Sequence, residues 1–96
     1  MARFLSITFN YGARVEPATV KTTLDAAKDW AKYAPNCWII WTEQTPEYWY
    51  GKLKPLLHPE DLIFIVEINV PTRAGWIQKT IVEWFVRDRS AGRPGI

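Results

Sequence analysis

Alternating apolar positions mark the first element of the chain. Residues 3–9 read RFLSITF, and in an extended conformation Leu5, Ile7 and Phe9 fall on one face. A period of two is typical of a half-buried strand. We therefore predict a strand over residues 3–9.

A helical period follows the next loop. Pro17 can occupy the first turn of a helix, and apolar residues then recur at spacings of four, seven and eleven: Val20, Leu24, Ala27 and Ala31. This spacing predicts a helix over residues 17–32. Lys21, Lys28 and Lys32, interleaved with Asp25 and Asp29, indicate a solvated outer face on that helix.

Two runs are apolar on both faces, as interior strands are. The first, CWIIWTE, follows the turn signal Pro35-Asn36, and the second, LIFIVEIN, predicts a strand over residues 62–69. Between them, Thr45 is a plausible N-cap with Pro46 at the first helical position, and Pro55 should bend or end that helix. Ile77, Ile81, Trp84 and Phe85 follow helical spacing near the end of the chain.

Strands that alternate with helices in so short a chain require right-handed crossovers onto one sheet. A ferredoxin-like α+β sandwich meets this requirement, with an antiparallel sheet, helices on one face and a C-terminal helix, if Tyr33-Ala34 forms a short extra strand. Residues 1–88 form one domain in this interpretation, and residues 89–96 a flexible basic tail. Its core should combine Leu5, Ile7, Phe9, Leu24, Ala27, Trp49, Leu53, Phe64 and Val66.

Composition narrows the class of protein. The chain has 96 residues, 15% of them aromatic, and a net charge of +2. Arg87, Arg89 and Arg93 against Asp88 account for that surplus, so the folded part lacks the basic face of a strong nucleic-acid binder. A lone cysteine, Cys37, and an opening too short and polar for a signal peptide favour a cytoplasmic protein without disulfides or membrane attachment.

The aromatic residues suggest an interface. Alternation puts Trp38 and Trp41 on opposite faces of their strand, so one of them lies on the sheet face without the first two helices. Three explanations compete for that face: the C-terminal helix covers it, a second copy binds it, or single-stranded nucleic acid stacks on it. The candidate interface residues are Trp38, Trp41, Tyr48, Tyr50, Trp76 and Trp84.

The order of these elements, with CWIIWTE, LKPLL, PEDLIFIVEI and a terminal Trp-Phe, resembles the small bacterial proteins of the SinR family, which are distinct from the helix-turn-helix repressor of that name. Those proteins are similar in fold to VapD-like toxins and to the small CRISPR-associated adaptation nuclease. The resemblance covers about residues 3–86. It implies a mobile-element, toxin–antitoxin or phage-defence context, in which a phage or plasmid inhibitor of a defence protein is one form the function takes.

The resemblance also implies where a nuclease site would lie. The nuclease-like relatives end the first strand with an aspartate that holds a divalent metal, whereas this chain has Asn10. A neutral amide is a poor sole ligand for a hard dication. Glu67 and Glu43 are possible replacement ligands, but if the strand at 62–69 lies antiparallel to the first, Glu67 should pair with Arg3.

The remaining reactive side chains have ordinary explanations. His58 lies in a turn, with no nucleophile that any motif places beside it. Cys37 opens a strand without a basic neighbour in sequence, which favours a packed thiol.

These observations favour a non-enzymatic protein that binds a protein partner or itself as a homodimer, with no cofactor, no metal and nucleic acid as a less favoured partner. The alternative is a metal-dependent endoribonuclease that resembles VapD-like toxins and uses Asn10 and Glu67.

Overall fold

The fold begins with the predicted strand, β1 (Arg3–Phe9). The structure is a computed structural model, and it describes residues 2–10, 15–69 and 79–86. The predicted tail at 89–96 and the end of the predicted domain at 88 therefore lie outside the described residues.

The first helix is half as long as predicted. α1 (Pro17–Leu24) has Pro17 in its first turn and ends with Asp25 as its C-cap. The hydroxyls of Thr22 and Thr23 donate to the carbonyls of Ala18 and Thr19 at 3.0 and 3.1 Å. Such β-branched residues bonded back to the preceding turn favour a helix less than unbranched residues do.

Residues predicted as the end of that helix form a strand instead. β2 (Asp29–Ala34) replaces both the helical prediction to residue 32 and the two-residue strand predicted at Tyr33-Ala34. The Lys28 N–H donates to the Trp41 carbonyl at 2.8 Å, which begins the pairing with the next strand. The turn at Pro35-Asn36 is confirmed, and Asn36 takes a positive φ of 61°, a conformation that asparagine tolerates better than most residues.

The middle of the chain follows the prediction closely. β3 (Cys37–Thr42) leads to α2 (Pro46–Leu53). Thr45 is the N-cap of α2, as predicted, and its hydroxyl oxygen accepts the Tyr48 N–H at 3.2 Å. A 3₁₀ turn over Lys54–Leu56 contains Pro55 and ends the helical segment. β4 (Ile63–Ile68) and α3 (Lys79–Phe85) complete the described elements.

The four described strands form one antiparallel sheet in the order β2-β3-β1-β4. The central strand β1 pairs with β3, where Ile7 lies opposite Trp38, and with β4, where Ile7 lies opposite Ile65. The α+β class and the antiparallel sheet are thus confirmed.

Two clusters of apolar side chains lie on opposite sides of this sheet. We call the side that packs on α1 and α2 the helical face. Its core contains Leu5, Ile7, Phe9, Val15, Val20, Leu24, Ala27, Trp38, Ile40, Trp49 and Leu53. On the other side, the second face, Ile81 and Trp84 of α3 pack with Ala31 and Ile39.

The predicted core is correct except on β4. Phe64 is 69% exposed and Val66 is half-buried, whereas Ile63 and Ile65 pack against the helical-face core. Every position from Leu62 to Val66 is apolar, so the pattern alone does not tell which alternate set points to α1 and α2. The pairing of Ile65 with Ile7 decides it.

Candidate functional site

An aromatic cluster lies where α3 meets the second face. The ring centroid of Phe4 is 4.6 Å from that of Trp41 and 5.6 Å from those of Trp84 and Phe85. Trp84 is fully buried and Trp41 half-buried. Of the three explanations for this face, cover by α3 therefore accounts for the part around Phe4, Ala31 and Ile39.

A second part of the same face remains open to solvent. We name it the β4 patch, and it comprises Leu62, Phe64 and Val66. Leu62 is 68% exposed, Phe64 is 69% exposed and Val66 is half-buried. The residues opposite Phe64 and Val66 on β1 are the small polar Thr8 and Ser6, so that strand offers little apolar surface to the patch. Contiguous exposed apolar side chains of this kind mark interaction surfaces.

Polar side chains lie next to the patch on the second face. The Tyr33 hydroxyl is close to Cys37, Ser6 and Thr8. Burial raises the pKa of Tyr33, the charge of the neighbouring Cys37 raises it further, and the Ser6 and Thr8 hydroxyls act in the opposite direction. The tyrosine is thus held in its neutral, hydrogen-bonding form.

The tyrosines of α2 are on the other side of the sheet from the β4 patch. Tyr48 is 37% and Tyr50 48% exposed, and Lys52 lies 5.5 Å above the ring of Tyr48. Trp49, between them, is buried and donates from Nε1 to the Thr42 hydroxyl oxygen at 3.1 Å. The buried indole orients α2, and its two tyrosine neighbours lie at the protein surface.

The six candidate interface residues therefore do not form one surface. Trp38, at 4% exposure, belongs to the helical-face core, and Trp84 of α3 is buried against the second face. Trp41 lies on the second face, while Tyr48 and Tyr50 extend from α2. Trp76 lies outside the described residues.

Asn10, one of the two residues of the nuclease alternative, has a structural position. Its side-chain Oδ1 accepts the Leu62 N–H at 2.8 Å, and its backbone carbonyl accepts Asn36 Nδ2 at 3.1 Å. The Asn10 N–H also donates to the Leu62 carbonyl at 3.2 Å. Asn10 thereby joins the end of β1 to the start of β4 and to the β2–β3 turn.

The candidate acidic ligands are engaged in ion pairs. Arg3 Nη1 lies 3.6 Å from Glu67 Oε1, which confirms the predicted cross-strand pair. Lys28 Nζ lies 3.0 Å from Glu43 Oε2. The hydrogen bond and positive charge of Lys28 lower the pKa of Glu43. Among the described residues, no three His, Cys, Asp or Glu side chains come together as a metal site would require.

His58 belongs to a turn, as its sequence neighbours predicted. The backbone N–H of His58 donates to Asp61 Oδ2 at 3.2 Å, and the backbone N–H of Asp61 donates to the His58 carbonyl at 3.0 Å. Cys37 has a free, half-buried thiol at the start of β3.

Sequence reasoning missed the aromatic pair that β2 creates. Trp30 packs edge-on against Trp38 with centroids 5.5 Å apart, and its Nε1 donates to Asp25 Oδ1 at 2.8 Å. Residues 29–33 read DWAKY, in which apolar and polar positions do not alternate, so the local pattern gives no clear signal for this strand. The β4 patch was missed because two of its residues, Phe64 and Val66, were predicted to lie in the core.

Comparison of the chain with protein-family models, with curated proteins and with solved structures gives no match. The resemblance to SinR-family and VapD-like proteins therefore stays a prediction from sequence pattern. Within the described part of the chain, no helix has the length and apolar character needed to cross a membrane.

Proposed function

We propose that this chain is a non-enzymatic protein that binds macromolecules and self-associates as a homodimer on a ferredoxin-like fold. The observation that carries the proposal is the β4 patch, in which Phe64 and Leu62 are more than two-thirds exposed on a sheet face. Exposure of large apolar side chains is unfavourable in water. A partner surface that covers them relieves that cost.

Strand order supports the ferredoxin-like architecture. Before α3, strands and helices follow the order βαββαβ, and the sheet order read from its other edge is β4-β1-β3-β2. Both are features of the split βαβ arrangement. Such folds serve many functions, so the proposed function rests on the patch and not on the architecture.

The contacts of the two residues that the nuclease alternative needs also favour a binding role. Asn10 Oδ1 is bonded to the Leu62 N–H, and Glu67 is paired with Arg3. A metal ion bound by Asn10 Oδ1 or by the Glu67 carboxylate would compete with a contact that supports β4.

The proposal is tested by sedimentation velocity over a range of protein concentrations. We expect wild type to sediment as a dimer, Phe64→Ser as a folded monomer, and Tyr50→Ser as a dimer. Tyr50 is a matched control because it is also an exposed aromatic residue, but it lies on α2. A wild-type monomer at every concentration would refute self-association.

A second measurement addresses the enzymatic alternative. Purified protein is incubated with assorted RNAs and Mg²⁺ or Mn²⁺, and we expect no turnover. Metal-dependent cleavage that is lost in Asn10→Ala or Glu67→Ala would contradict the non-enzymatic proposal.

A further inference from the structure

The outer edge of β4 carries backbone groups that point away from β1. The Leu62 carbonyl and N–H both bond to Asn10, so the backbone groups of Leu62 face β1. Backbone direction alternates along an antiparallel strand. Ile63, Ile65 and Glu67 therefore direct their N–H and C=O groups outward, along an edge that no other strand of the described sheet occupies.

Within the described residues, this edge carries little of the usual protection against pairing. Natural edge strands are commonly guarded by Pro, by Lys, by bulges or by charges on the inward face. Ile63–Ile68 reads IFIVEI, with Glu67 as its single charged residue. That charge is matched within the chain by Arg3 at 3.6 Å.

The outward backbone groups of this edge can pair with those of a second copy. If a twofold axis passes through Ile65, the outward residues pair only with one another: Ile63 with the partner's Glu67, and Ile65 with the partner's Ile65. The same register places Phe64 opposite the partner's Val66 on the second face. A shift of the axis in either direction leaves at least one outward residue opposite a position beyond the strand ends at Ile63 and Ile68.

We propose that two copies of this chain pair β4 to β4, antiparallel about a twofold axis at Ile65, and so form one continuous sheet with four described strands from each copy. This inference rests on the self-association proposed above and specifies its geometry. This pairing has two consequences. The outward backbone groups of β4 gain hydrogen-bond partners, and Phe64, which lies opposite Thr8 on β1, gains an apolar neighbour from the second copy.

Disulfide crosslinking tests the register. In a Cys37→Ser background, Ile65→Cys places two thiols at directly paired positions, where Cα atoms are about 5.5 Å apart, within the range that a disulfide spans. Ile63→Cys is the matched control, because its copies are offset by four residues and thus by about 13 Å. Under mild oxidation we expect a covalent dimer from Ile65→Cys and none from Ile63→Cys.

A second pair of variants tests the hydrogen bonding at the edge. Glu67→Pro removes an outward N–H without removing a bond to β1, whereas Glu67→Ala keeps that N–H and removes only the side chain. We expect a folded monomer from Glu67→Pro and a dimer from Glu67→Ala. Circular dichroism checks that both are folded, and if Glu67→Pro is unfolded, the crosslinking result alone decides.

The outcomes separate the two proposals. A dimeric wild type in which Ile65→Cys does not crosslink, or Ile63→Cys crosslinks equally well, overturns the β4 geometry and leaves self-association standing. A wild type that is monomeric at all concentrations overturns both.

Discussion

At the scale of single residues, Asn10 connects three parts of the fold. Its side-chain oxygen accepts the Leu62 N–H, and its carbonyl accepts the Asn36 amide. The first of these contacts needs only an acceptor, which a carboxylate supplies as well as an amide. The residue that departs from the nuclease pattern therefore has a role that does not require a metal.

Asn10→Ala should lower the free energy of unfolding by about 0.5–1.5 kcal/mol, because the hydrogen bond from the Leu62 N–H is lost at a site where water can replace it in part. Asn10→Asp keeps the acceptor and should have a smaller effect. Urea unfolding of both variants measures the difference. Equal destabilisation by alanine and aspartate would show that the Leu62 bond is not what Asn10 contributes.

Tyr33 gives a pH-dependent prediction. Burial, followed by the charge of Cys37, raises its pKa in the folded state above that of the unfolded chain. Below the unfolded value, about 10, the tyrosine is neutral in both states and its contribution to stability is fully present. As the pH rises through the folded pKa, the unfolded state has already lost the proton, so that contribution is lost.

Ultraviolet titration of tyrosinate should show a component that ionises above the ordinary tyrosine value of about 10. This late component should be missing in Tyr33→Phe. A Tyr33→Phe titration identical in shape to that of wild type would contradict the shift.

At the scale of elements, β2 shows why periodicity misled the prediction. Val20, Leu24 and Ala27 do share the helical-face core, so the helical spacing was correct up to that point. Ala31 fits the same period but lies on the opposite side of the sheet, with Ile39 and Trp84. Alanine and lysine favour helices locally, and only the pairing with β3 reveals the strand. That pairing is a tertiary contact, which a local pattern does not contain.

α2 carries an exposed glycine in its interior. Gly51 lies within Pro46–Leu53, and a Cβ built there would meet no atom within 4 Å. Glycine in a helix interior costs about 0.5–1 kcal/mol relative to alanine. Gly51→Ala should raise the free energy of unfolding by that amount in urea denaturation, and it should leave the dimer intact because the added methyl group meets no neighbouring atom. A loss of stability would indicate a crowded position.

At the scale of the whole molecule, the sequence predicted the positions of strands and helices better than it predicted which side chains are exposed. The positions of β1, β3 and the start of α2 followed from alternation, a turn and a capping threonine, all of which are local signals. The interface prediction favoured tryptophans because they are large, yet Trp38 and Trp84 are buried. Exposure of Leu62 and Phe64 depends on which side of β4 meets α1 and α2, and an all-apolar strand does not encode that choice in its own pattern.

The strand order also determines when the protein can fold. The hairpin of β2 and β3 joins neighbours in sequence, but β1 pairs with β3 and with β4, where Phe4 meets Ile68. Contacts of such long sequence separation slow folding, since a large loop must close before they form. On the ribosome, β1 is made before both of its partners, so the nascent chain exposes it as an unpaired strand at least until β3 has been made.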